Sequence, residues 1–125
     1  MKVNNKNLFL KVSIIILFHS CIGNFMVNTE KRIVDEYFVY ATEVKSQATI
    51  SIYKKKFDSY IGITPQGIIE YTVLNETYII GKNRKKEVYV IKRGKEKYKR
   101  LNYEEFQRFV ESIDLKLDEI KWKSV

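Results

Sequence analysis

The sequence predicts an α+β domain of two layers: an N-terminal amphipathic helix packed on a twisted antiparallel meander of five or six strands, closed by a shorter C-terminal helix. Three observations lead there. Apolar residues recur at helical spacing between Ile33 and Ala48; the period falls to two after Thr49; and a second apolar stripe follows Asn102.

Taken in order, Asn28-Thr29 can cap a helix, with Glu30 in the first turn where the helix dipole favours an anion. Ile33, Tyr37, Ala41, Val44 and Ala48 then form one stripe, flanked by Val34 and Phe38, on a helix of about 18 residues. Lys31, Asp35, Glu36, Glu43 and Lys45 fall mostly on the other side. The β-branched and aromatic content of Tyr37 to Tyr40 would also suit a strand.

From Thr49, Ile50 and Ile52 alternate with Ser51 and Tyr53, and Lys54-Lys55-Lys56 closes the strand with charges that protect an edge. Tyr60–Thr64 and Ile68–Leu74 flank Pro65-Gln66-Gly67, where proline presets φ for a turn and glycine accommodates its close. Asn75-Glu76 makes the next reversal before a strand from Thr77 to Lys82. A polar loop at Asn83-Arg84-Lys85 precedes a strand from Glu87 to Ile91; Gly94 suits a bulged hairpin turn, and the return strand runs from about Lys95 to Leu101. Asn102 with Glu105 three residues on fits a capping box. Tyr103, Phe106, Val110, Ile113 and Leu117 line that helix's apolar face, while Asp114–Trp122 suits either more helix or a strand. The element order allows a cystatin-like arrangement, a comparison that carries no function.

Ahead of this domain, residues 1–23 have the parts of an export signal. Lys2, Lys6 and Lys11 precede the apolar run Val12–Phe18, and no acidic residue occurs before Glu30. The run is too short for a membrane span, which takes about 20 apolar residues. Leu17-Phe18-His19-Ser20-Cys21 resembles the lipobox of bacterial lipoproteins, with small Ser20 before the cysteine, although Phe18 and bulky His19 depart from the pattern. The resemblance implies lipidation at Cys21 and a membrane-anchored protein of the bacterial cell envelope. The alternative is cleavage after Gly23 and simple secretion, since Cys21 and Gly23 are small residues in the required spacing. Either way the lone cysteine is acylated or discarded, and residues 24–125 remain as one domain.

Composition suits a folded body: 45% hydrophobic, 14% aromatic, one proline, and no repeat or low-complexity run. The formal charge of +8 is local. Between Lys82 and Arg100 stand Lys82, Arg84, Lys85, Lys86, Lys92, Arg93, Lys95, Lys97, Lys99 and Arg100, against only Glu87 and Glu96. A single-sign field of this kind attracts anions, and Tyr89 and Tyr98 stand within it as candidate aromatic contacts. A solvated edge hairpin whose lysines block sheet-to-sheet pairing is the simpler account of the same charges.

The only histidine is His19 and the only cysteine Cys21, both in the signal. The domain therefore has no imidazole or thiolate for nucleophile systems, histidine bases or His/Cys zinc sites. No glycine-rich phosphate loop and no calcium loop occurs, so no cofactor or metal is expected. The carboxylate pairs Asp35-Glu36, Glu104-Glu105 and Asp118-Glu119 read as solvated faces. Asn75-Glu76-Thr77 is a glycosylation sequon, relevant only in a eukaryotic source.

These observations point to a small exported, lipid-anchored, non-catalytic protein that binds an anionic lipid, an envelope polysaccharide or a protein partner. The alternative is an inhibitor or immunity protein against a secreted toxin or hydrolase. Export makes nucleic acid an unsuitable partner, whereas an anchor with a basic patch is the two-signal arrangement that holds proteins at membranes.

Overall fold

The computed structural model describes residues 28–125. The export signal expected at residues 1–23, with His19 and Cys21, lies outside them.

The first element overturns the helix expected from Thr29 to Ala48. Those residues form a hairpin, β1 (Thr29–Val34) and β2 (Tyr37–Ala41), turning at Asp35-Glu36 with Asp35 at φ 51°. The three-and-four spacing of Ile33, Tyr37 and Ala41 coexists with a period of two. Tyr37, Val39 and Ala41 face the core, while Phe38 and Tyr40 take the opposite face. Valine, tyrosine and phenylalanine pack well on a pleated surface, and here that preference prevailed over helical periodicity. Val44 to Ala48, the rest of the expected stripe, is a loop with a short 3-10 turn at Lys45–Gln47.

The single meander is also corrected. β1 and β2 continue through β3 (Thr49–Lys54) into β4 (Ser59–Gly62), a four-stranded antiparallel sheet in chain order. Residues 63–69 then cross to a second sheet. Ile63 N–H bonds to Ile50 O and Ile68 N–H to Ala48 O, whereas Ile69 N–H already bonds to Lys82 O. Pro65 lacks the N–H a ladder needs and Gly67 has φ 108°, so the chain leaves the first sheet here.

The second sheet has strands β5 (Glu70–Leu74), β6 (Tyr78–Lys82), β7 (Val88–Lys92) and β8 (Tyr98–Leu101). Asn75 and Glu76, both at positive φ, make the tight turn between β5 and β6. After β8 comes the one α-helix among the described residues, α1 (Tyr103–Ser112). Its capping box closes reciprocally: Glu105 N–H donates to Asn102 Oδ1 at 2.8 Å and Asn102 N–H to Glu105 Oε1 at 3.1 Å. Residues 114–122 are mostly irregular, and β9 (Lys123–Ser124) pairs antiparallel with β5, giving the order β8-β7-β6-β5-β9.

The second sheet is therefore central and covered on both faces, which makes three layers where two were expected. Ile79, Tyr89 and Ile91 pack with Tyr37, Ile50 and Ile68 from the first sheet's side. Ile80, Val88, Val90 and Leu101 pack with Phe106 and Val110 of α1. Gly81 lies tight against the residues packed beneath the first sheet: an added Cβ would lie 2.7 Å from Ile50 Cδ1 and 3.0 Å from Ile68 Cδ1. Burial on both faces explains why Tyr78-Ile79-Ile80 and Val88–Ile91 are near-continuous apolar runs rather than alternating ones. No described helix is long and apolar enough to cross a membrane.

Candidate functional site

The ten basic residues singled out in the sequence do not form one surface. Lys82 is drawn to Glu70, 3.4 Å away, and its ammonium sits 4.3 Å from the centre of the Trp122 ring. Arg100 pairs with Glu87 at 3.4 Å, and Arg93 grips Asp35 with two hydrogen bonds of 2.7 and 2.9 Å. Arg84, Lys85 and Lys86 are exposed on the β6–β7 turn, where Arg84 and Lys85 border a shallow depression with Ser46 and Gln66. That is the end of the molecule where Thr29 opens β1 opposite Ala41.

The other four come together. Lys92, Lys95, Lys97 and Lys99 stand along a cleft of about 680 Å³ between the outer part of the β7–β8 hairpin and α1. Register explains Lys99: it lies opposite Val90, on the α1 side of the sheet. The buried side chains of Val90 and Leu101 form the base, with half-buried Tyr78 and Phe109. The last two rings meet edge to face, centroids 4.9 Å apart. Arg108 on α1 contributes a fifth cation from the opposite wall. Sequence reading misses it because Arg108 lies outside the basic run; its place six residues after the Asn102 cap is the only local signal.

All five cations are exposed, and among the described residues none of them forms an ion pair. The one carboxylate on the lining, Glu105, accepts the Asn102 N–H in the capping box. The cleft is thus an apolar trough with an unneutralised cationic rim.

The hairpin tip that presents these lysines is fastened to the first sheet. Buried Tyr37 donates from its hydroxyl to Lys95 O at 2.7 Å and accepts from Gly94 N–H at 2.8 Å. The Arg93–Asp35 pair adds a second tie, and Lys54 with Glu96 a third. The Arg93 guanidinium also holds the Asp35 carboxyl below its ordinary pKa.

The two tyrosines singled out beside the lysines separate. Tyr98 is 42% exposed and borders the cleft, whereas Tyr89 is 4% exposed, between the sheets. Burial raises the Tyr89 pKa, and Asn83 Nδ2 donates to its hydroxyl at 3.3 Å. Tyr89 serves the site only from below, its ring edge to face with Tyr98 at 5.4 Å.

A second concentration of aromatics escaped sequence reading because it depends on the corrected hairpin. On the outer face of the first sheet, the Tyr60 ring stacks on Tyr40 at 4.1 Å and meets Phe38 edge to face at 5.2 Å. Partial burial there, and the hydrogen bond Tyr60 donates to Glu30, push its pKa up to about 12.

Among the described residues no three His, Cys, Asp or Glu side chains converge in a way that would hold a metal ion. The paired carboxylates are spread: Asp35 is tied to Arg93, Glu105 caps α1, and Asp118-Glu119 lies on the exposed 3-10 turn Leu117–Glu119. In the sequon, Asn75 Nδ2 donates to Ile113 O at 3.0 Å.

Among the described residues, fold and site together define a β-rich body of two sheets and one α-helix with a cation-rimmed cleft. No family model matches the chain, and comparisons with curated proteins and with solved structures returned no significant match.

Proposed function

We propose that this is a non-catalytic binding protein of the bacterial envelope, exported and lipid-anchored at Cys21, which takes an anionic envelope component in the cleft between β8 and α1. The observation that carries the reading is the cleft itself: five exposed cations from two elements face one trough, and no ion pair among the described residues neutralises them. Like charges held this close repel one another, so an anion bound among them is favoured.

An anchor at Cys21 would tether the domain at the Thr29 end. β1 runs about 20 Å from there to the turn that touches the hairpin tip. The cleft would then open away from the anchoring surface, and Arg84, Lys85 and Lys86, with Lys45, would be among the cations on the side of the lipid headgroups. That division fits a protein held at a membrane by one end and working at the other.

Two measurements test the reading. Intact mass and membrane fractionation of wild type and Cys21→Ala report on the anchor: acyl mass and membrane retention in the wild type alone support it, and identical behaviour without added mass overturns it. Capture from envelope extracts on the immobilised protein reports on the ligand class. Salt-sensitive retention of anionic material, reduced in Lys97→Glu/Lys99→Glu, supports anion binding; retention indifferent to salt and to those changes overturns it.

A further inference from the structure

Resting on that reading, we propose that the ligand of the cleft is a single-chain amphiphile: an anionic head group, such as a phosphate or carboxylate, joined to a hydrocarbon tail. A site for a purely polar polyanion needs cations on a hydrated surface and no apolar base. This one has both. The lysines and Arg108 occupy the exposed upper margin, while Val90 and Leu101 lie beneath at 9% and 5% exposure, with the Phe109 and Tyr78 rings beside them.

Size fits the same class. A cleft of about 680 Å³ falls within the range of roughly 300–1,000 Å³ in which small-molecule sites are found. Charge complementarity fixes the orientation: the head group meets Lys97, Lys99 and Arg108 at the rim, and the tail lies along Leu101 and Phe109. The lysine stems add apolar length to the walls while their ammonium groups stay in water. Glu105, the one acidic neighbour, has an oxygen committed to the α1 cap and keeps its charge, but five cations on the same lining outnumber it. Because Tyr37 fixes the hairpin tip on one side and the capping box fixes α1 on the other, the trough stands formed before a ligand arrives.

The test is calorimetric titration of the full-length protein with inorganic phosphate, butyl, hexyl and octyl phosphate, and octyl glucoside, all below their micelle concentrations. Affinity is expected to rise along the alkyl phosphates by up to about fourfold per methylene. Octyl glucoside is expected to bind at least tenfold more weakly than octyl phosphate, and Lys99→Glu/Arg108→Glu to lose at least tenfold for octyl phosphate. Equal affinity for inorganic and octyl phosphate overturns the amphiphile while leaving the anion site standing. Equal affinity for octyl glucoside and octyl phosphate overturns both, as does a wild type that binds no octyl phosphate, or a double variant that binds it as tightly as wild type. Phe109→Ala should flatten the chain-length series; because that change can loosen α1, the series on the wild type decides the matter by itself.

Discussion

The Tyr37 hydroxyl, on the second strand of one sheet, donates a 2.7 Å hydrogen bond to the carbonyl of Lys95 at the tip of a hairpin in the other. Through it a residue 58 positions away in sequence fixes the lysines that edge the cleft. Tyr37→Phe leaves the Lys95 carbonyl and the Gly94 N–H without that partner. The expected cost is about 1 kcal/mol by urea unfolding, with a several-fold loss of affinity at the cleft. Unchanged stability and affinity would show that the tip is held by other contacts.

The Arg93–Asp35 pair makes the same tie sensitive to pH. Its hydrogen bonds and charge lower the Asp35 pKa below the ordinary value of 3.8. A carboxylate depressed in the folded state adds stability above its unfolded pKa, and that stability is lost as pH falls through the folded value. Wild type should therefore melt above Asp35→Asn at pH 6, and the gap should close as pH drops below about 3.8. Thermal melts of both proteins from pH 6 to pH 2 check this; a gap that widens on acidification contradicts it.

The contact between the sheets predicts an overpacking cost at Gly81. Placing valine there sets Cβ 2.7 Å from Ile50 Cδ1 in a region where Ile50 and Ile68 are wholly buried. Gly81→Val should cost about 1–3 kcal/mol. Ile50→Val removes the clashing methyl, so the double variant should lose less than the two single changes added together. Additivity in denaturant unfolding would place the strain elsewhere.

How far this architecture can be read from residues alone depends on what each segment faces. From Thr49 onward, much of the turn chemistry is local: Asn75-Glu76 and Gly94 place reversals and Asn102 with Glu105 places the helix start, whereas Pro65-Gln66-Gly67, expected to join neighbouring strands of one meander, lies instead on the crossing between the two sheets. Thr29 to Ala48 has no proline or glycine, and its turn rests on Asp35 in a left-handed conformation that any helical pattern conceals. Ile33, Tyr37 and Ala41 satisfy both periods, and only pairing with β3, Tyr37 opposite Ile52 and Val39 opposite Ile50, decides between them. The division into two sheets depends on that pairing as well. At the site, Lys95, Lys97 and Lys99 are visible as alternating charges, but nothing local says that Arg93 and Arg100 are occupied by Asp35 and Glu87. Arg108 becomes part of the cleft only once α1 folds back along β8.

The aromatic face of the first sheet gives an alkaline prediction. Tyr60 ionises at about 12 in the folded protein against an ordinary value of 10. A phenol raised in this way adds stability that is complete below about pH 10 and lost as pH climbs through about 12. Ultraviolet titration should show one tyrosine ionising last, absent in Tyr60→Phe, and the variant's stability should decline less across that interval. A last-ionising tyrosine that persists in Tyr60→Phe would assign the shift to another ring.

Location, more than total charge, is the central claim, and two variants of equal net charge isolate it. Lys97→Glu/Lys99→Glu alters the cleft, while Arg84→Glu/Lys85→Glu alters the opposite end by the same amount. Calorimetric titration of both, and of wild type, with octyl phosphate at low and moderate salt reads the difference. The cleft variant should lose at least tenfold in affinity, and the Arg84/Lys85 variant should stay within about twofold of wild type, its remaining loss disappearing with salt. Equal losses in the two variants would mean that the anion answers only to overall charge, and the cleft would not be its site.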